Sequence, residues 1–260
     1  VAVVEALDVI FAPLDELVIV LASDLTVRYY HLGSRTSVNN ETARARGCTR
    51  LLTPHTRAAW WAGALPAGKR RGCRILFLSG PRAAVTAYAA MPFDPFRTAP
   101  AQRGAPHSDA PVPPQVFRLP DLEGHADVVT DLLVLAQPRD ISGPARPGAA
   151  DEAGEGEGEG EGGLLVTASL DRTVKLWALP SRECVCTLEG HTAGVRALAY
   201  DAKQHVLFSA GFEVGVRAWG ITGIQAFPLF TLEGGHATSV RHVHAAPGSA
   251  CALVLLDDAG

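Results

Sequence analysis

Three residues of the types that perform acyl transfer, His125, Ser169 and Asp171, stand in one stretch of this 260-residue chain. A Ser-His-Asp hydrolase needs its serine exposed on a strained turn beside oxyanion donors, and no Gly-x-Ser-x-Gly context surrounds Ser169. Related types recur farther along as His191 and Glu213, and a catalytic triad has no reason to repeat along a chain. Catalysis is therefore not expected. Gly63-Ala-Leu-Pro-Ala-Gly68-Lys69-Arg70 begins like a phosphate-binding loop, yet it places Arg70 where Ser or Thr must meet magnesium. Strand-like Arg74-Ile75-Leu76-Phe77 follows, where a phosphate cradle needs a helix N-terminus, so the segment reads as a basic hairpin loop. Lys69-Arg70-Arg71 with Arg74 also has the composition of a nuclear signal, but short basic runs are usually solvated turns. His242 and His244 share a face if their segment is a strand, with no third ligand nearby for zinc. Cys184 and Cys186 are expected to share a strand face in the same way, as small apolar packing residues. With Cys48, Cys73 and Cys251 they make an odd count without C-x-x-C spacing, which reads as reduced thiols in a cytosolic compartment. No cofactor or metal is expected.

The elements that position these residues repeat. Asp24 to Tyr30, Arg82 to Tyr88, Asp171 to Trp177 and Glu213 to Trp219 each carry a valine three residues before an aromatic, and three of them an acid six before it. Each follows a short β-rich run: Leu17 to Leu21, Arg74 to Leu78, Leu164 to Thr167, and His205 to Ser209. Two strands joined by a tight turn, four times over, is the reading. Gly124-His125, Gly190-His191 and Gly235-His236 each precede an apolar strand beginning near Val129, Val195 or Val240. His191 and His236 lie 45 residues apart and Trp177 and Trp219 lie 42 apart. The 66 residues from His125 to His191 contain an insert between Pro138 and Gly163. A period of about 40–45 residues is that of a β-propeller blade.

On these residues the chain resembles the WD40-repeat family, most closely over 116–245 and more faintly over 1–90. The WD dipeptide itself is replaced: Ala178 follows Trp177, Gly220 follows Trp219, and His31 follows Tyr30. The resemblance implies an all-β propeller of about four blades plus a partial fifth, part of a seven-bladed or tandem propeller. It also implies a buried hydrogen-bonded tetrad, matched by His125, Ser169, Asp171 and Trp177. The next repeat offers a partial tetrad, His191, Glu213 and Trp219, with Gly211 where the hydroxyl is expected. In the family, the residue after the first-strand valine and the one before the turn acid line the top of the propeller. Here these are Thr130, Arg196 and Arg241, with Leu170 and Phe212. Two arginines beside apolar side chains suit an acidic or phosphorylated peptide with a hydrophobic anchor.

The implied function is a non-catalytic scaffold for protein–protein interaction, with a propeller subunit of an enzyme complex, such as a ubiquitin-ligase substrate receptor, as the alternative. His191 to Tyr200 followed by Leu207 to Phe212 resembles large tandem WD40 proteins of cilia and flagella, some of which carry EF-hands. That implies a cytoplasmic protein of a ciliary or flagellar assembly; the chain has no D-x-D-x-D-G calcium loop. The expected organisation is a degenerate blade over 1–32, a linker over 33–47, and a second degenerate blade over 48–91. A Pro-rich loop over 92–114 and a blade over 115–182 with an acidic insert at 138–163 come next. A blade over 183–224 and an incomplete one over 225–260 complete it. The Glu-Gly tract of the insert self-repels and buries no apolar area, so it is expected to be a disordered loop. The net charge is −4, and with six acids standing in one run from Asp151 to Glu161 the rest is nearly neutral, which points away from nucleic-acid partners. The most apolar stretch, Leu17 to Ala22, is too short to span a bilayer. The chain opens on Val1 and closes where a turn should lead into another strand, and so reads as a piece of something longer.

Overall fold

Short β-branched and aromatic runs separated by Gly, Asp and Thr turns fold here as antiparallel strands. The computed structural model describes residues 4–12, 17–31, 47–51, 53–62, 74–90, 116–136, 163–179, 181–233, 240–245 and 253–257. The linker at 33–46, the loop at 92–114, the insert at 138–162, the loop at 63–71, Cys73, Cys251 and Gly235-His236 lie outside the described residues.

Among the described residues there are eighteen strands and no helix, hence none long and apolar enough to cross a membrane. A first sheet contains β1 (Ala6–Ala12), β2 (Leu17–Ala22), β3 (Thr26–His31) and β4 (Gly47–Arg50), and a second contains β5 (Arg57–Ala62), β6 (Arg74–Ser79), β7 (Thr86–Ala90) and β8 (Val116–Arg118). A third is built from β9 (Val129–Ala136), β10 (Gly163–Ser169), β11 (Val174–Leu179) and β12 (Glu183–Leu188). A fourth follows with β13 (Val195–Asp201), β14 (Val206–Gly211), β15 (Val216–Thr222) and β16 (Gln225–Leu232), and β17 (Val240–Ala245) pairs with β18 (Leu253–Asp257).

The strand pairs read from the repeat are the middle hairpins β2–β3, β6–β7, β10–β11 and β14–β15. Each is flanked by a first strand and by a fourth. The fourth strand belongs to the sheet that precedes it: Glu183–Leu188 pairs with β11, and Gln225–Leu232 with β15. Sheets therefore end at Leu188 and Leu232, one strand beyond the expected boundaries at 182 and 224, because the ladder, unlike the sequence repeat, continues through the turn after the aromatic strand.

Residues 1–62 with 72–123 form one compact unit, and residues 63–71 with 124–260 form another. In the first, Ile19, Leu21, Val27 and Tyr29 of the first sheet pack on Ala58, Leu76 and Leu78 of the second. The turn acid Asp24 holds the Thr26 hydroxyl and pairs with Arg28 at 2.6 Å, and Leu25 after it takes φ 61°. In the second unit the alternation of β14 decides which residue goes where. Leu207 joins Leu164, Val166, Leu176 and Trp219 between the third and fourth sheets. Phe208 and Ala210 point the other way and pack on Val240 and Val243 of β17. With both faces covered, every residue of β14 is buried, and Phe208 alone contributes about 1.5–3 kcal/mol of apolar burial.

Cys184 and Cys186 do not share a face. The ladder shifts between Leu176 and Trp177, so Cys186 pairs with Leu176 and Cys184 with Trp177, on opposite sides of the sheet. The bulge at Val185 adds one residue and cancels the two-residue period. Cys186 Sγ reaches the Ala226 carbonyl of β16, while Cys184 Sγ lies near the Thr187 hydroxyl.

Candidate functional site

The connection from β8 into β9 carries His125, and the turn between β10 and β11 carries Asp171; the fold brings them together at Nδ1···Oδ2 2.8 Å. The other ring nitrogen of His125 meets the Thr167 hydroxyl at 2.7 Å, and the Trp177 indole N–H donates to that same oxygen at 3.0 Å. One order of protons satisfies every member: the indole donates to Thr167, Thr167 to Nε2, and Nδ1–H to the carboxylate.

Thr167, not Ser169, is thus the hydroxyl of the network. Both point to one side of β10, but Ser169 lies one side-chain repeat closer to the turn. Its hydroxyl donates to the Asp127 carbonyl at 3.0 Å and accepts the Asp171 N–H at 3.1 Å. His125 makes no hydrogen bond to Ser169, so the three residues lack the geometry of a hydrolytic triad.

The same correction completes the second network. Ser209 stands between His191 Nε2 at 2.7 Å and the Trp219 indole at 2.8 Å, and Glu213 takes His191 Nδ1 at 2.5 Å. Gly211 is not a missing hydroxyl: a Cβ there would lie 2.0 Å from the Gly194 carbonyl oxygen. Glu213 also accepts the Thr192 N–H and hydroxyl and the Arg217 Nε–H.

The electrostatics favour neutral imidazoles beside ionised carboxylates. Burial pushes His125 and His191 below their ordinary 6.5, against the pull of Asp171 and Glu213. Partial burial works to raise Asp171, but the Thr173 hydroxyl, the Ala126 N–H and His125 outweigh it and bring its pKa to about 2. Glu213 is held at about 2 against the same burial effect by Thr192, His191 and Arg217.

These networks fix the turns that carry the candidate contact residues. Thr130 stands where the β9–β10 ladder shifts, Arg196 where β13–β14 shifts, and Arg241 where β17–β18 shifts. All three are extra residues of a bulge in a first strand, which takes them out of the pairing ladder. Arg196 lies with its guanidinium carbon 4.7 Å from the centre of the Phe212 ring, and Phe212 is 53% exposed. Leu170 adjoins Gly194, where a Cβ would come within 2.9 Å of its side chain, and the Phe212 N–H donates to the Gly194 carbonyl. The fold thereby gathers Leu170, Phe212 and Arg196 around Gly194. The Thr130 hydroxyl is directed instead at the Val195 carbonyl, 2.6 Å away. The Arg241 side chain is outside the described residues.

Thr167, Ser209 and Thr192 escaped the sequence reading, as did Asp131, whose carboxylate accepts the Leu198 N–H across two sheets. A signal existed for two of them: the networked hydroxyl stands ten residues before the tryptophan in both repeats. Buried His55, beside Thr53 in the first unit, carries no repeat signature. Among the described residues no group of three or more His, Cys, Asp or Glu is placed to hold a metal ion.

Residues 160–178 and 182–213 match the family model described as WD40: WD domain, G-beta repeat. Nuclear distribution protein PAC1-2 of Uncinocarpus reesii is 40% identical over 73 residues, 28% of this chain and 16% of that protein. Human DDB1- and CUL4-associated factor 10 is 40% identical over 57 residues, 22% of this chain and 10% of that protein. The chain thus matches less than a fifth of the length of either relative. A chain in the structure of Chaetomium thermophilum Polycomb Repressive Complex 2 bound to GSK126 superposes with a TM-score of 0.61 over 93% of this chain and 47% of its own, at 17% identity, a likeness of fold alone. Within this chain, residues 160–178 and 182–213 are thus similar to WD40 repeats, and the all-β fold as a whole is similar to that of the superposed chain.

Proposed function

We propose that this chain is a non-catalytic platform for protein–protein interaction, and that the rim carrying Arg196, Arg241, Thr130, Leu170 and Phe212 receives an acidic or phosphorylated peptide with an apolar anchor. The observation that carries the reading is the Arg196 guanidinium stacked on an exposed Phe212 ring beside Leu170. A guanidinium stacked on a ring suits a carboxylate or phosphate, and the ring with Leu170 suits an apolar side chain. The match of residues 160–178 and 182–213 to WD40 repeats supports the interaction role. The test reverses both charges, Arg196→Glu with Arg241→Glu, and compares proteins retained by immobilised wild-type and variant chains. Loss of at least one partner is expected; an unchanged set removes the proposed surface.

Similarity to human DDB1- and CUL4-associated factor 10 favours a second reading, a substrate receptor in a ligase complex. Recovery of the DDB1 and CUL4 proteins of the source cell with the tagged chain is its expected result. A cytoplasmic and ciliary or flagellar location belongs to the proposal as well, supported by the resemblance over residues 191–212, and imaging of the tagged chain tests it.

A further inference from the structure

Arg196 is anchored from two directions. Its side chain rests on Phe212, in its own sheet. Its backbone, released from the β14 ladder by the bulge between Val195 and Ala197, is gripped from the neighbouring sheet. Just before it, the Val195 carbonyl accepts the Thr130 hydroxyl at 2.6 Å; just after it, the Leu198 N–H donates to Asp131 Oδ2 at 2.8 Å. Asp131 is itself steadied by the Leu132 N–H at 3.0 Å, and Thr130 has the Ala168 carbonyl as a second acceptor at 3.2 Å. The register shift makes Arg196 the extra residue of the bulge, so the bonds on either side of it come from β9.

We propose that Thr130 and Asp131 are positioning residues: by clamping the strand on both sides of the Arg196 bulge they present its guanidinium in one orientation over Phe212 before a partner arrives. Thr130 stands on the rim, but with its hydroxyl turned to the Val195 carbonyl it acts there through Arg196. It rests on the reading of that rim as the docking surface. The first sheet shows the same kind of carboxylate clamp, with Asp8 accepting the Ala58 N–H at 2.8 Å. There the same carboxylate also lies 4.0 Å from Arg57 Nη1.

The test uses the full chain and the variants Thr130→Val, which keeps the shape and removes the donor, and Thr130→Ser, which restores it. In 15N-resolved NMR spectra of the free protein, Thr130→Val should shift and broaden the Arg196 Nε–H signal as it leaves the Phe212 ring current. The Trp177 and Trp219 indole signals, which report the two buried networks, should stay in place. Thr130→Ser should return the Arg196 signal to its wild-type position. An unmoved Arg196 signal in Thr130→Val, with both indoles intact, overturns the proposal. If the indoles move too, Asp131→Asn, which weakens the acceptor while keeping its shape, takes the place of Thr130→Val under the same criterion. A fluorescein-labelled Glu-Glu-Leu-Glu-Glu peptide supplies the second arm. Loss of preorganisation at one side chain should weaken its binding about three- to tenfold in Thr130→Val. Failure of this peptide to bind the wild-type chain would count against the docking reading, while the NMR arm still decides the positioning role.

Discussion

Thr167 Oγ1 and Trp177 Nε1, ten residues apart in sequence, are 3.0 Å apart, and Ser209 with Trp219 repeats the relationship at 2.8 Å. The hydroxyl accepts from the indole on one side and faces the imidazole on the other, so removing it orphans two buried groups at once. Thr167→Val should cost about 2–6 kcal/mol of unfolding free energy, at about 1–3 kcal/mol for each of the two unsatisfied groups. Ser169→Ala, which loses bonds to backbone nearer the surface, should cost about 1 kcal/mol. Chemical denaturation of the two variants decides the assignment; the reverse order would return the hydroxyl to Ser169.

Gly211→Ser should not repair anything. A Cβ at that position meets the Gly194 oxygen at 2.0 Å and Val195 Cα at 2.8 Å, both backbone, so the first strand of the fourth sheet would have to move. A loss of about 1–3 kcal/mol is expected from forcing atoms into a packed site. A thermal melt at or above the wild-type temperature would show that the turn yields freely.

Restoring the family dipeptide by Gly220→Asp should destabilise as well. The Phe227 ring lies over Gly220, and a Cβ there would approach it to 2.6 Å. Since Phe227 is 47% exposed, its ring can be removed at little cost, and Gly220→Asp in a Phe227→Ala background should recover most of the loss. Additive effects in this double-mutant cycle would refute the steric explanation for the missing aspartate.

Stability should fall in two stages on acidification. Folded His125 and His191 lie below the ordinary 6.5, so the unfolded chain takes up protons first and stability declines as pH drops below about 6.5. Folded Asp171 and Glu213 titrate at about 2, against ordinary values of 3.8 and 4.5. Their contribution is complete above those ordinary values and is lost as pH falls towards 2. Melting temperatures recorded from pH 8 to pH 2 should be flat at the top of the range and decline through both windows. A profile that rises between pH 6.5 and 5 would mean that the imidazoles are charged in the fold.

The periodic part of the molecule was legible in the residues themselves. Valine three before an aromatic, an acid six before it, and Gly-His at the head of the next unit are spacings within a few residues of chain. Local rules of turn and strand turn them directly into the hairpins β2–β3, β6–β7, β10–β11 and β14–β15. Which hydroxyl completes a network was not legible within one repeat, because Thr167 and Ser169 have the same parity on β10; the shared spacing of Thr167 and Ser209 from their tryptophans was its one signal. Only the distance from the Trp177 ring across the hairpin separates them. Nor was the separation of Cys184 from Cys186: a single-residue bulge, set by pairing with β11, reverses a face that the period of two assigns correctly everywhere else in the strand. Tertiary structure alone also turned Thr130 towards the Val195 carbonyl and Asp131 towards the Leu198 amide. Those bonds join strands 65 and 67 residues apart in different sheets, and no local pattern encodes which edge of one sheet will meet the next.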